Sequence, residues 1–117
     1  MAEHNDTGRT GEMLAAVYLE ARGFLLLHTN WKSGRYEIDL VMSKNETLHF
    51  VEVKTATGNN LGFPERRVNT AKMQKLRRAA EAFLDTFPQW KFIQFDIMSI
   101  MMHNGQKEDY CLIEDIC

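Results

Sequence analysis

The sequence predicts one α/β domain in which a mixed sheet is flanked by helices. Hydrophobic periodicity switches between the two regular types along the chain, in the order helix, strands, helix, strands. A length of 117 residues suits a single domain over 1–117, and folding a chain of that size removes about two-thirds of its extended surface from water. An apolar fraction of 44%, with 26% charged residues and two prolines, excludes a disordered tail, a collagen and a low-complexity linker.

The first helix is expected from about Gly8 to Arg22. Leu14, Val17, Tyr18 and Ala21 recur at helical spacing, Ala15, Ala16 and Leu19 make a milder second apolar side, and Gly23 offers a left-handed stop. Glu12 lies one turn before Ala16, on a face that can turn inward, although a carboxylate in a first turn also suits the helix dipole. Phe24 to His28 reads as a short strand and Asn30 to Gly34 as the loop after it. Tyr36 to Met42 and Thr47 to Lys54 flank the turn-like Ser43 to Glu46, which signals a hairpin. Thr55 to Val68 is a polar loop. Asn69 or Thr70 then caps a second helix to about Phe87, with Met73, Leu76, Ala80, Phe83 and Phe87 on its buried stripe, and Pro88 ends it. Trp90 to Met98 reads as a strand, and Asn104-Gly105 signals a turn before a last strand from Tyr110 to Ile116.

Met1 to Asp6 has neither the basic flank nor the apolar stretch of a secretory signal, and no apolar run approaches a membrane span, so a cytoplasmic protein without a membrane partner is expected. Cys111 and Cys117 form no Cys-x-x-Cys pair and lie near no pair of histidines, which points to reduced thiols rather than a disulfide or zinc site. His28, His49 and His103 are too scattered for a metal cluster.

The net charge of −2 is unevenly spread. From Lys54 to Ala80 there are seven basic residues against Glu65 alone, a local +6, while the rest of the chain carries −8. Such segregation suits a phosphate track, for which Lys72, Lys75 and Arg78 follow one another at helical spacing and Arg66 and Arg67 stand in the loop before them. It equally suits a solvated helix face. Trp31, Tyr36 and Trp90 are candidates to stack on splayed bases, or ordinary rim aromatics.

The central hairpin carries the chemistry. Pairing Met42 with Thr47 sets Asp39 opposite Phe50 and Glu37 opposite Glu52, and puts Glu37, Asp39 and Val41 on one sheet face with Leu48, Phe50, Glu52 and Lys54. Asp39 and Glu52 become diagonal neighbours roughly 7 Å apart at the backbone. Like charges so placed call for a counter-charge, and Mg²⁺ supplies one while taking only one or two protein carboxylates. Lys54 is then placed to hold or help deprotonate a water, or to neutralise a phosphate. The alternative is a solvent-exposed face with a weak Glu52–Lys54 pair; Val41, Leu48 and Phe50 would share that exposure, which a half-covered cleft avoids.

Glu37-Ile38-Asp39-Leu40-Val41, followed by Phe50-Val51-Glu52-Val53-Lys54, resembles the YraN-like family, whose domain belongs with the PD-(D/E)XK, or restriction-endonuclease-like, nucleases and is similar to archaeal Holliday junction resolvases. Gly8 to Glu12 with Ala15 or Ala16 resembles the family's opening helix, Asn30-Trp31 its loop, Lys72 the start of its second helix, Phe95-Asp96-Ile97 its late strand and Leu112 to Cys117 its last strand. The resemblance implies that Asp39 and Glu52 bind Mg²⁺ or Mn²⁺, with the Val53 carbonyl as a third ligand, that Lys54 is the catalytic lysine, and that Glu12 is a helix-borne carboxylate near the metal. It implies a restriction-endonuclease-like mixed sheet, a nuclease acting on structured or branched DNA, and a homodimer where cutting is symmetrical. Tyr36 stands where the family often has glycine; it is expected to face away from Asp39. Gln94 stands where arginine often precedes Phe-Asp, removing a phosphate or carboxylate partner. Two other readings stay open: a non-catalytic nucleic-acid-binding module on the same fold, and a protein-interaction domain using the Met-rich stretch Met98 to Met102.

Overall fold

A computed structural model describes residues 3–57, 70–103 and 105–116, residues 3–9 by backbone alone. Two helices and five strands follow one another as α1 (Glu3–Glu20), β1 (Leu25–Ser33), β2 (Tyr36–Lys44), β3 (Thr47–Thr57), α2 (Thr70–Thr86), β4 (Phe92–Met102) and β5 (Asp109–Ile113). The strands lie in chain order in one mixed sheet. β3 and β4 run parallel and the other neighbours antiparallel, so α2 is the crossover that a parallel pair requires. The expected α/β domain with a mixed sheet and flanking helices is what the chain forms. Among the described residues no helix is long and apolar enough to cross a membrane.

The two helices cover opposite faces. Leu40, Met42, Val51, Met98 and Ile100 pack under Ala15, Ala16 and Leu19 of α1, while Val41, Leu48, Phe50 and Phe95 pack against Leu76, Ala79, Ala80 and Phe83 of α2. The buried side of α1 is thus the milder one. Val17 is 64% exposed and Met13 68%, although Val17 belongs to the more apolar stripe. Small side chains let the helix lie close to the sheet: a Cβ on Gly11 would stand 2.5 Å from Thr55 Cγ2. α1 ends as expected at Gly23, whose φ is +97°, with the Phe24 amide bonded to the Leu19 carbonyl and the Gly23 amide to that of Glu20.

Several boundaries depart from the sequence expectation for physical reasons. Helix α1 starts before Gly8, because an internal glycine such as Gly8 or Gly11 costs about 1 kcal/mol and does not break a helix. Asn30 and Trp31 lie inside β1 rather than in a loop: Thr29, Trp31, Lys32 and Ser33 pair with Leu40, Ile38, Glu37 and Tyr36, so polar residues continue a strand at the sheet edge. The connection to β2 is only Gly34-Arg35, with Gly34 at φ +60°. The β2–β3 turn is likewise two residues, not four, since Asn45 and Glu46 both have positive φ, the geometry of a type I′ hairpin. Strand β3 runs on through Thr57, three residues into the loop expected from Thr55, and residues 58–69, Asn69 among them, lie outside the described residues. Asn104 and Cys117 lie outside them too. Met98, Ile100 and Met101 are buried strand residues, which removes the exposed Met-rich surface.

Candidate functional site

The shorter turn moves the hairpin register by two residues. Met42 pairs with His49 and Leu40 with Val51, the last pair of the β2–β3 ladder, so Asp39 comes one step beyond it opposite Glu52 rather than diagonal to it. There the Val53 amide donates to Asp39 Oδ2 at 2.8 Å, a side-chain acceptor taking over where strand pairing stops. A shift of two preserves alternation, so Asp39 and Glu52 stay on one face as expected.

Asp39, Glu52 and Glu37 wall a cavity of about 310 Å³ closed on its other side by Lys72, Lys75 and Leu76 of α2. Burial, then the charge of Glu52, pushes the Asp39 carboxyl up from an ordinary 3.8 to about 7; the Val53 amide opposes the rise, and Glu12 and Glu37 add to it. Glu52 has a partner already: Lys72 Nζ lies 3.0 Å from its Oε2. That hydrogen bond holds the Lys72 ammonium above its usual range against the pull of burial, with Lys54 and Asp39 contributing. With the Lys72 side chain 47% exposed and that of Glu52 16%, the pair is worth about 1 kcal/mol or less.

The other expected site residues are only partly gathered. Lys54 is half-buried two residues past Glu52 and close enough to influence Lys72, but it stands outside the cavity wall. Glu12 faces a neighbouring hollow, where its Oε1 accepts the Asn30 amide at 2.6 Å, and only its charge reaches Asp39. Lys75 and Arg78 lie on the exposed side of α2 beside the cavity, while Arg66 and Arg67 lie outside the described residues. Tyr36 lines the same cavity as Asp39, contrary to the expected opposite face, and packs against the α2-side core. Two residues enter unannounced. Arg35, on the β1–β2 turn, lines the cavity, and Asn30, at φ +49°, holds Glu12. An asparagine tolerates that conformation better than most residues, the one signal in the sequence that pointed to it.

His49 and Asp96 form a separate buried pair on the α1 face, with Nδ1 2.7 Å from Oδ2. Asp96 Oδ1 also accepts the Gln94 amide and the Asp115 backbone amide, each at 3.0 Å. Gln94 reaches Glu114 as well, at 3.2 Å, so it keeps carboxylate partners where their loss was expected. This network satisfies buried polar groups and contributes nothing to the cavity.

As for metal ligands, among the described residues no three carboxylate, imidazole or thiol groups gather to hold an ion by themselves. Two carboxylates at adjoining strand positions do suit Mg²⁺ or Mn²⁺, which take few protein ligands and complete their shell with water and phosphate oxygens. Burial first, and then the charge of Glu52, disfavours the ionised Asp39, and a bound cation would offset both.

The profile of a family described as "Uncharacterised protein family UPF0102" matches residues 11–100. A UPF0102 protein of Bacteroides thetaiotaomicron is 40% identical over 105 residues, covering 90% of this chain and 87% of the relative. One of Parabacteroides distasonis is 39% identical over 116 residues, covering 99% and 93%, and one of Dictyoglomus thermophilum is 34% identical over 105 residues, covering 89% of each.

Proposed function

The chain belongs to the UPF0102 family, and from the chemistry its cavity can support we propose that it is a divalent-metal-dependent nuclease, on a restriction-endonuclease-like fold, hydrolysing phosphodiester bonds in structured or branched DNA. The observation that carries this reading is the Asp39–Glu52 pair: two carboxylates side by side, one pushed to about 7, in a cavity rimmed by cations. Asp39 and Glu52, with the Val53 carbonyl, would hold Mg²⁺ or Mn²⁺, which supplies Lewis-acid polarisation of the phosphate and a more acidic water. Lys72 and Lys75 bring positive charge to the phosphate oxygens as the water oxygen bonds to phosphorus, one ester bond breaks, and the leaving oxygen takes up a proton. Lys54, close enough to act on Lys72, assists through it. Glu12 and Asn30 act by position, through the charge felt at Asp39.

The test is cleavage with Mg²⁺ or Mn²⁺ of a panel of duplex, single-stranded, flap and four-way DNA and RNA. A branched member is cut by the wild type and left intact by Asp39→Ala and Glu52→Ala, while Lys54→Ala is slowed by roughly a hundredfold or more. No cleavage of any member contradicts the reading. Symmetrical cutting of a four-way junction takes two sites, so a homodimer in sedimentation goes with that substrate.

The Lys72–Glu52 ion pair favours a second reading, a non-catalytic nucleic-acid-binding module, because an ammonium already supplies Glu52 with a counter-charge. Such a module binds in a salt-sensitive, metal-indifferent way that Asp39→Ala leaves unchanged.

A further inference from the structure

The cavity around Asp39 does not end at Lys75. A second hollow of about 670 Å³ adjoins it, and Arg35, Tyr36 and Lys75 line both. The two differ in charge. The first contains Glu37, Asp39 and Glu52; the second is walled by Arg35, Lys75 and Arg78 with Tyr36, Gln74 and Ala71, and no carboxylate is among its described lining residues. A concave surface of this volume, carrying three cations and one aromatic ring, has the size and chemistry of a small-ligand pocket for an anion with a flat, π-faced part.

Its aromatic wall is fixed in place. Tyr36 opens β2, pairs with Ser33 across the tight Gly34-Arg35 turn, and is half-buried against the α2-side core, so its position is set by packing on both sides. Arg35 precedes it on the turn and is exposed. Across the hollow, Gln74, Lys75 and Arg78 come from one side of α2, with Gln74 and Arg78 one turn apart. An amide at Gln74 offers both a donor and an acceptor, which suits the edge of a base better than a phosphate.

We propose that this hollow takes an unpaired nucleotide adjoining the phosphate held in the first cavity, its base against the Tyr36 ring and its phosphates between Arg35, Lys75 and Arg78. The inference rests on the nuclease reading of the first cavity. A base inside a duplex has both faces covered by its neighbours, so an aromatic wall within a basic hollow serves only a nucleotide that has left the stack. Single-stranded ends, bulges and the unpaired nucleotides of branched structures therefore form the substrate class, and uninterrupted duplex does not.

The test is fluorescence anisotropy in EDTA with three labelled DNA probes of one sequence: a single strand, a blunt duplex, and a duplex carrying one bulged 2-aminopurine. The single strand and the bulged duplex bind roughly tenfold more tightly than the blunt duplex, and 2-aminopurine emission falls on binding as the base meets the ring. Tyr36→Leu, which keeps an apolar side chain against the core, loses that advantage and the emission change, while Tyr36→Phe keeps both. Arg35→Ala and Arg78→Ala, at exposed positions, weaken the single strand and the bulged duplex more than the blunt duplex. Equal affinity for bulged and blunt duplex, or full retention of binding and emission change by Tyr36→Leu, overturns the proposal. Because the chelator prevents metal-dependent cleavage, the nuclease reading fails separately: no cleavage and no metal binding, with Tyr36-dependent binding intact.

Discussion

Asp39 is a carboxyl group placed where its charge is poorly accommodated, and this gives the apo protein a definite pH dependence. Its pKa in the folded chain is about 7, raised from 3.8 by burial and by Glu52. A raised carboxyl binds its proton more tightly in the folded state, so its contribution to stability is fully present below pH 3.8 and is lost as pH rises through about 7. Asp39→Asn keeps the shape and removes the titration. In chelator, wild type therefore loses about 2–4 kcal/mol relative to Asp39→Asn between pH 4 and pH 8, measured by urea unfolding across that range. Parallel stability curves for the two proteins contradict the assignment. Asp39, Glu37 and Glu52 were legible as one acidic face because alternation along a strand places like parities together. Lys72 as the partner of Glu52 was not, since the contact joins a strand to a helix after a long connection and no local spacing encodes it.

At the scale of elements, the approach of α1 to β3 rests on the absence of one methyl group. Gly11→Ala would drive a Cβ to 2.5 Å from Thr55 Cγ2, a branched side chain held in a strand. The helix itself favours alanine by about 1 kcal/mol, and overpacking costs about 1–3 kcal/mol, so the single change destabilises by roughly 1 kcal/mol. Thr55→Ser deletes the offending methyl and with it the overpacking, so the two changes couple by about 1–3 kcal/mol in a double-mutant cycle read by thermal unfolding. A neutral Gly11→Ala with additive partners contradicts the contact. The order and type of elements were legible because periodicity and turn residues report local preference. The buried face of α1 was not: the sheet selected small residues for close approach over the stronger apolar stripe, a choice made by tertiary packing. The hairpin register was misread by two residues because Ser43 and Lys44, turn-like in composition, pair in the ladder with Leu48 and Thr47.

For the whole molecule, the topology brings opposite charges to one end of the sheet. Strands β2 and β3 supply carboxylates where their ladder stops, and the crossover helix α2 returns over that point with Lys72, Lys75 and Arg78. A net charge of −2 would by itself repel a polyanion, so the proposed nucleic-acid binding would depend on this local array rather than on the total. With Arg35, Lys75 and Arg78 as phosphate contacts, single-strand affinity falls with salt at a log–log slope of about −2, or roughly twentyfold for a fourfold rise in potassium chloride. Anisotropy titrations in EDTA read this slope directly, and a value near zero contradicts a phosphate track. The segregation of charge was visible in the sequence; its convergence with the carboxylates on one cavity belongs to the crossover.

The central claim, that Asp39 and Glu52 are a metal site for phosphodiester chemistry, is tested most directly by calorimetric titration of Mn²⁺ into the protein bound to a short phosphorothioate single strand. Phosphate oxygens are then present to complete the shell, and cleavage is suppressed. Wild type takes up the ion, Asp39→Ala does not, and wild-type affinity rises about fivefold from pH 6 to pH 7 as Asp39 gives up its proton. No uptake by the wild type, or equal uptake by Asp39→Ala, contradicts the account.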